Sequence, residues 1–278
     1  MNDFATASAE KAAYVEYWSY NANSFALQGC YEWMAAQLDG LRPAKILDIG
    51  CGTGQGVLAL HKRFDCDILA IDENLPCLRR THRLLRQHGL NADLRSRFKY
   101  RQNPDGTHCT IIDKSPIQTT ERVSLVQADA LLQDPAFESY LRTKAPFDAV
   151  TVWLTGAYQC RNTCADLDPL HIVDPQEYRL RVQNHAYMLA PAVLRPGGVL
   201  QVIDRGEPLE SAEIREEHLR GHRDQAELGD LKVQGATTRP YVEHNTPKGV
   251  EMVISLGTTD RIPNLQETAL VSVLSVKP

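Results

Sequence analysis

The chain has 278 residues, of which 43% are hydrophobic and 23% charged, and its formal net charge is −5 at pH 7. These values are ordinary for a globular protein with a sizeable core, and the acidic balance excludes the broad basic surface of a nucleic-acid binder. The polar first ten residues lack the apolar stretch of a secretory signal, and no apolar run reaches the ~20 residues that cross a bilayer. We therefore expect a cytoplasmic protein that binds no membrane, and the odd number of cysteines, seven, agrees with reduced thiols.

The first predicted elements are helical. Apolar residues recur at helical spacing between about residues 9 and 38. Polar residues interrupt the pattern near Ser24, which is predicted to cap a second helix. We expect residues 1–41 to form a helical extension in front of an α/β domain that spans residues 42–278.

The chain then alternates between buried strands and helices. This alternation is typical of a parallel sheet with helices on both faces, and the β-branched end of the chain predicts an antiparallel pair of strands. The predicted strands are Lys45–Ile49, Asp67–Ile71, Val123–Gln127, Phe147–Leu154, Val199–Ile203, Val250–Leu256 and Ala269–Val276; the helices between them are Val57–Phe64, Pro76–Gln87, Phe137–Thr143, Gln176–Leu194 and Glu210–Leu228.

An insertion at about residues 91–121 interrupts the alternation. Phe98–Gln102 and His108–Ile112 flank Asn103-Pro104-Asp105-Gly106, where proline presets φ and glycine supplies a positive φ. We interpret the insertion as a β-hairpin. The alternatives for the role of this hairpin are a lid, a dimer contact and a substrate arm.

A glycine-rich loop, Asp48-Ile49-Gly50-Cys51-Gly52-Thr53-Gly54, joins the first strand to its helix. Glycine at alternating positions lets the backbone turn sharply and approach a ligand at the carboxyl end of a strand. The spacing is Gly-x-Gly-x-Gly, not the Gly-x-Gly-x-x-Gly of dinucleotide sites. The loop resembles motif I of the class I S-adenosylmethionine-dependent methyltransferases. A nicotinamide or flavin site and a turn without a ligand are the alternatives.

The resemblance extends over about Lys45 to Asp204, apart from the hairpin. It implies the fold of that family, a doubly wound α/β domain with a seven-stranded, mostly parallel sheet. It also implies S-adenosyl-L-methionine as the cofactor and S-adenosyl-L-homocysteine as the product. The further matching segments are Asp72-Glu73, Gln127-Ala128-Asp129-Ala130, Phe147-Asp148-Ala149-Val150 and Leu194-Arg195-Pro196-Gly197-Gly198.

The resemblance also implies roles for single residues. The loop backbone packs against the methionine part of the cofactor, and Asp48 holds the loop or, through water, the ammonium group. Asp72, with Glu73 as the fallback, accepts both ribose hydroxyls, while Asp129 and Ala130 meet the adenine. Each carboxylate has the alternative role of capping a helix or turn. The predicted cofactor-binding residues are Asp48, Gly50, Cys51, Gly52, Gly54, Asp72, Glu73, Asp129, Ala130 and Trp153.

The acceptor of the family usually lies near the loop after the fourth strand. Here that loop lacks the Asp/Asn-Pro-Pro-Tyr/Phe tetrapeptide and the Pro-Cys nucleophile of nucleobase and glutamine methyltransferases. Tyr158, Asn162 and His171 are candidate acceptor-side groups, with Tyr158 and His171 as the catalytic candidates, because histidine titrates near neutral pH. A structural or solvated role is their alternative. Cys160, Cys164 and His171 lack a fourth ligand, so no metal site is predicted.

The resulting hypothesis is methyl transfer to oxygen or nitrogen of a small molecule, with a homodimer left open. An RNA or protein methyltransferase is the runner-up because basic residues concentrate between Arg79 and Arg101. A non-catalytic S-adenosylmethionine-binding protein is the rival from another class. Aromatic residues of the N-terminal helices, among them Tyr14 and Trp18, contact the cofactor as a lid or simply pack on the core.

Overall fold

The computed structural model describes residues 3–105, 107–156, 164–172, 174–242 and 268–278. The helices are α1 (Asp3–Leu27), α2 (Cys30–Ala36), α3 (Gln55–Phe64), α4 (Leu75–Gln87), α5 (Pro135–Lys144), α6 (Pro175–Val193) and α7 (Ala212–Glu227), with a 3-10 helix at Ala165–Leu170. The strands are β1 (Lys45–Ile49), β2 (Asp67–Asp72), β3 (Ala92–Arg95), β4 (Phe98–Gln102), β5 (His108–Ile112), β6 (Val123–Gln127), β7 (Phe147–Trp153), β8 (Leu194–Gly206), β9 (Lys232–Pro240) and β10 (Ala269–Val276).

The main sheet runs in the order β3-β6-β2-β1-β7-β8-β10-β9. Every neighbouring pair from β3 to β8 is parallel, and β10 is antiparallel to both β8 and β9. The doubly wound, mostly parallel α/β fold predicted from the sequence is therefore confirmed.

Eight strands form this sheet within the described residues, where seven were predicted. The sequence did not predict the edge strand β3 because this four-residue segment, Ala-Asp-Leu-Arg, is short and polar. The strand is stabilised by backbone pairing with β6. The second missed strand, β9, contains a glycine and two threonines and pairs with β10. The predicted strand Val250–Leu256 lies outside the described residues.

The predicted cap at Ser24 was wrong. Helix α1 continues through Ser24, whose hydroxyl accepts a hydrogen bond from Gln28 Nε2 at 3.1 Å. The break falls instead at Gly29, where φ is +67° and α2 begins. Glycine adopts this left-handed conformation without the Cβ clash of other residues, so it separates the helices.

Two core layers lie on the two faces of the sheet. Alternate residues of one strand point to opposite faces, so Ile46 of β1 packs in the core that α1 to α4 cover. The next residue, Leu47, packs in the core beneath α5 and α6. Burial on both faces is typical of parallel sheets. None of the helices in the described ranges is both long and apolar enough to cross a membrane.

The predicted hairpin is confirmed as an antiparallel pair, β4 and β5, separate from the main sheet. Arg97 at its base forms a buried ion pair with Asp134, the N-cap of α5. Lys11 of α1 lies 3.8 Å from the ring centroid of Tyr100 on β4. These contacts join the hairpin to the domain and to the N-terminal helix.

Candidate functional site

The glycine loop lies at the carboxyl end of β1 and has a left-handed backbone at Gly50, Gly52 and Gly54, with φ of +79°, +55° and +91°. Thr81 of α4 donates a hydrogen bond from its hydroxyl to the carbonyl of Gly52 at 2.9 Å. A Cβ at Gly54 would lie only 2.9 Å from the Cα of Thr81. Glycine is therefore required at Gly54 both by its φ and by the approach of α4.

Asp72, at the end of β2, holds the loop from the other side. One carboxylate oxygen accepts from the Gly52 N–H at 2.9 Å and the other from the Asn74 N–H at 2.8 Å. Desolvation and the neighbouring Glu73 raise the pKa of Asp72 to about 7, while the two N–H groups oppose the shift. Glu73 is buried and pairs with Lys11 of α1 at 3.3 Å.

Three predicted cofactor residues are buried away from the cavity described next. Asp48 is buried and accepts from the Thr151 hydroxyl at 2.7 Å, and burial raises its pKa to about 6. Trp153 faces α3, with its indole N–H donating to Gln201 Oε1 at 3.1 Å. Cys51 is buried, which raises its thiol pKa well above the usual value. The structure gives these residues contacts with the core and does not bring them to the cavity described next.

A small cavity of about 60 Å³ opens above the carboxyl edge of the sheet. It brings together six of the ten predicted cofactor residues from β1, β2 and β6 and the loops that follow them. Tyr178 of α6, which the sequence analysis missed, completes the wall together with Tyr14 and Trp18 of α1. The six predicted residues are Gly50, Gly52, Asp72, Glu73, Asp129 and Ala130. Gly54 contacts Thr81 instead.

The polar groups of this wall can accept hydrogen bonds from a ligand. Asn74 Oδ1 and Thr155 Oγ1 are buried without a hydrogen-bond partner in the described structure, and both residues line the cavity. Asp129 is buried and directs one oxygen to the Leu131 N–H at 2.9 Å. Buried polar atoms without partners are rare, so these acceptors are suited to hydroxyl, amino or ammonium donors of a ligand.

The volume of this cavity, in contrast, is limited by α1. Ligand cavities usually measure roughly 300–1,000 Å³, well above the present volume. The Trp18 indole nitrogen would lie only 2.6 Å from a Cβ at Gly52, so the indole covers the loop. A cofactor-sized ligand therefore requires Trp18 and Tyr14 to move outward.

A second cavity of about 540 Å³ lies between α6 and α7, at the carboxyl ends of β7 and β8. Thr155 lines both cavities, so they adjoin at this residue. The wall contains Arg179, which pairs with Asp204, and two histidines one helical turn apart, His218 and His222. The sequence analysis missed this site, although two histidines on the helix after a parallel strand were a usable signal.

The histidines differ in environment. His222 is buried, and its Nδ1 lies 2.8 Å from the Tyr187 hydroxyl. Burial lowers the pKa of His222 to about 3. Burial also lowers the pKa of His218, although the carboxylates of Asp204 and Glu217 oppose the shift. Both imidazoles are thus neutral at pH 7.

Of the predicted acceptor-side residues, the structure describes only His171. His171 is exposed, with φ of +49°, and belongs to neither described lining. Tyr158, Asn162 and Cys160 lie outside the described residues. Cys164 is buried 3.7 Å from a carboxylate oxygen of Asp166. Across the described ranges, no three potential metal ligands cluster.

The basic stretch from Arg79 to Arg101 is partly neutralised. Arg80 pairs with Glu16 at 3.2 Å and Arg95 with Asp93 at 3.7 Å, while Arg97 is buried against Asp134. Paired and buried arginines weaken the electrostatic attraction that phosphate backbones need.

The parallel sheet, with a glycine loop and cavities along its carboxyl edge, defines a ligand-binding doubly wound α/β protein. Residues 46–109 match the family model described as a methyltransferase domain. The matched segment contains the glycine loop and Asp72-Glu73, whose motifs resemble those of the class I S-adenosylmethionine-dependent methyltransferases.

Several solved structures resemble the chain at low identity. The N-methyltransferase NodS from Bradyrhizobium japonicum WM9, in complex with S-adenosyl-L-homocysteine, is 13% identical, with 100% of both chains covered and a TM-score of 0.48. StiE O-MT residues 942–1257 are 12% identical, with 76% of this chain and 53% of that chain covered and a TM-score of 0.42. TehB from Haemophilus influenzae is 11% identical, with 88% and 62% covered and a TM-score of 0.44. The chain thus spans between half and two-thirds of the last two structures, and no curated protein matches its sequence.

Proposed function

We propose that the protein transfers the methyl group of S-adenosylmethionine to oxygen or nitrogen of a small-molecule acceptor. The observation that carries the proposal is the pair of cavities that adjoin at Thr155. One is lined by the glycine loop and the acids that follow β2 and β6, and the other has the size of a small-molecule site. Adjoining sites hold two reactants in contact, which is the main requirement of a displacement reaction.

The residues of the first cavity would hold the cofactor. Asp129, Asn74 and Thr155 offer acceptor oxygens, and the backbone of Gly50 and Gly52 offers a surface without side chains. The bound cofactor supplies a methyl group on a positively charged sulfur. We further propose that residues 1–41 act as a cover over this site, because α1 places Tyr14 and Trp18 in its wall.

A small acceptor agrees with the geometry better than a macromolecule. The second cavity lies between two helices and measures about 540 Å³, within the range of sites for small ligands. The arginines that favoured an RNA substrate are partly used in ion pairs within the chain.

The test is calorimetric titration of the protein with S-adenosylmethionine and S-adenosylhomocysteine. The Asp129→Ala variant removes one charged acceptor, so we expect both ligands to bind more weakly by roughly 1.5–3 kcal/mol. Glu138→Ala removes an exposed acid of α5 outside the cavity lining and should bind as the parent does. No binding by the parent protein, or unchanged binding by folded Asp129→Ala, would contradict the proposal.

A further inference from the structure

We infer that the cavity between α6 and α7 binds its acceptor through an uncharged carbonyl group, whose oxygen accepts hydrogen bonds from His222 Nε2 and Gln225 Nε2. The inference rests on the proposed function and specifies how its acceptor is recognised. It depends on which nitrogen of His222 carries the proton, and the hydrogen bonds behind the ring decide this. His222 and Gln225 are binding residues in this inference, and neither takes part in proton transfer.

The hydroxyl groups of Ser275 and Tyr187 determine the tautomer of His222. Both side chains are fully buried. The Tyr187 hydroxyl oxygen lies 3.3 Å from Ser275 Oγ and 2.8 Å from His222 Nδ1. Within the described residues the Ser275 hydroxyl has no other hydrogen-bond partner, so its proton is directed to the Tyr187 oxygen, because buried donors without an acceptor are rare. The Tyr187 proton then goes to Nδ1, and the ring proton of His222 is on Nε2.

The amide of Gln183 agrees with this tautomer. Its Nε2 donates to Gln225 Oε1 at 2.7 Å and lies 3.5 Å from His222 Nδ1. An amide nitrogen donates hydrogen bonds and does not accept them, so it approaches a ring nitrogen that carries no proton. Burial also lowers the pKa of His222 to about 3, so the ring is neutral at pH 7 and has a single N–H group.

The Nε2–H group of His222 is open to the cavity. His222 lines the cavity although only 8% of the residue is exposed. Nε2 has no hydrogen bond within the described residues, yet it is not one of their enclosed polar atoms that lack a partner. The small exposed part of this buried ring therefore includes a hydrogen-bond donor.

Gln225 supplies a second donor on the same face of α7. It follows His222 by three residues, a spacing at which helical side chains are neighbours. Its Oε1 accepts from Gln183, so its Nε2 remains as a donor in the wall of the cavity that Gln225 also lines. A carbonyl oxygen has two lone pairs and can accept from both donors.

Two uncharged donors select among acceptor groups. An amide or ketone oxygen accepts from both without bringing a charge into the cavity, and an alcohol oxygen is a weaker acceptor. An ammonium group has no lone pair and cannot take this position. A carboxylate can accept, but it would lose its hydration without gaining a counter-ion, because Arg179 of the described lining is paired with Asp204.

The first experiment determines the tautomer by nitrogen NMR of protein with isotope-labelled histidine at pH 7. We expect the His222 signals, identified by their loss in His222→Asn, to show a protonated Nε2 and an unprotonated Nδ1. The double variant Tyr187→Phe, Ser275→Ala removes both hydroxyls, so the tautomer with the proton on Nδ1 should become populated. A protonated Nδ1 in the parent protein overturns the inference. An unchanged tautomer in the folded double variant overturns the role of the hydroxyls.

The second experiment follows the His222 Nε2 signal during titration with small probes, with and without S-adenosylhomocysteine. The probes are phenylacetamide and hexanamide, each compared with the amine, the carboxylate and the alcohol of the same skeleton. The amides should bind and shift the signal, the alcohols should bind more weakly, and the amines and carboxylates should leave the signal unchanged.

A pair of variants on α7 tests the second donor. Gln225→Met removes the amide without adding a charge and should weaken amide binding about tenfold, as for the loss of one hydrogen bond. Asp224→Asn changes an exposed side chain of the same helix, outside the lining, and should bind the amides as the parent protein does. Equal losses in the two variants would overturn the assignment of Gln225.

The outcomes distinguish this inference from the proposed function. Failure of S-adenosylmethionine and S-adenosylhomocysteine to bind overturns the proposed function, whatever the amide probes do. If both bind, three results overturn the carbonyl inference alone: neither amide shifts the His222 signal, the amines or carboxylates shift it equally, or Gln225→Met has no effect.

Discussion

At the residue scale, glycine at position 54 avoids two energetic costs, that of a left-handed backbone and that of a steric overlap. Its φ is +91°, and a Cβ would also overlap Thr81 of α4. Gly89 after α4 has a φ of +74°, but its Cβ would meet nothing within 4 Å. We expect Gly89→Ala to lower the free energy of unfolding by about 1–2 kcal/mol, the cost of a left-handed backbone. Gly54→Ala should cost roughly 1–3 kcal/mol more because it overpacks the core. Urea unfolding measures both, and equal losses would show that α4 does not constrain the loop.

Burial of His222 makes the free energy of unfolding depend on pH. Its pKa is about 3 in the folded chain and near 6.5 when unfolded, so the folded state favours the neutral ring. The contribution of the neutral His222 ring to the free energy of unfolding is complete above pH 6.5 and is lost as the pH falls towards 3. Asp48 and Asp72 act in the opposite direction because their pKa values are raised to about 6 and about 7.

The Tm of the parent protein is therefore compared with that of His222→Asn, in which the new side chain does not titrate and still offers an acceptor to the Tyr187 hydroxyl. The parent protein should have the higher Tm at pH 7, and the difference should close towards pH 4. Two parallel curves of Tm against pH would contradict the assignment.

At the element scale, one ion pair joins the hairpin to helix α5. The side chains of Arg97 and Asp134 are only 4% and 5% exposed. Arg97→Ala leaves a carboxylate buried without its counter-ion, so we expect a loss of about 3–5 kcal/mol in the free energy of unfolding. In the double variant Arg97→Met, Asp134→Asn, the charge is absent and the amide oxygen still caps the Phe137 N–H. Most of the loss should then be recovered. Equal destabilisation in both variants would show that packing, not charge, joins the elements.

At the scale of the whole molecule, we expect helix α1 to compete with the proposed cofactor for the space above the glycine loop. Trp18 covers Gly52, and the cavity beneath is too small for the cofactor. We expect S-adenosylhomocysteine to change the tryptophan fluorescence of the parent, and this change should disappear in Trp18→Phe, which retains Trp33 and Trp153. Trp18→Ala should bind the ligand more tightly, because less surface must be displaced. A signal that persists in Trp18→Phe would place the movement elsewhere.

The correct sequence predictions share a local cause. The strands β1 and β6 and both hairpin strands have their predicted bounds, because short apolar runs between strong turn residues depend on few distant contacts. Strands β3 and β9 were missed because polar strands at the ends of a sheet are stabilised by a partner strand. Among the predicted site residues, six line the first cavity, whereas the Trp153 indole donates to Gln201 and does not line it.

The sequence by itself determined the alternating α/β fold, the glycine loop and the acids after the strands, because backbone conformation and strand order depend on residue type and spacing. Only the tertiary structure decided that Trp18 covers the loop and that His218 and Asp204 share a cavity. These residues are distant in the chain and meet only when helices pack on the sheet. Local patterns carry no information about which side chains such packing brings together.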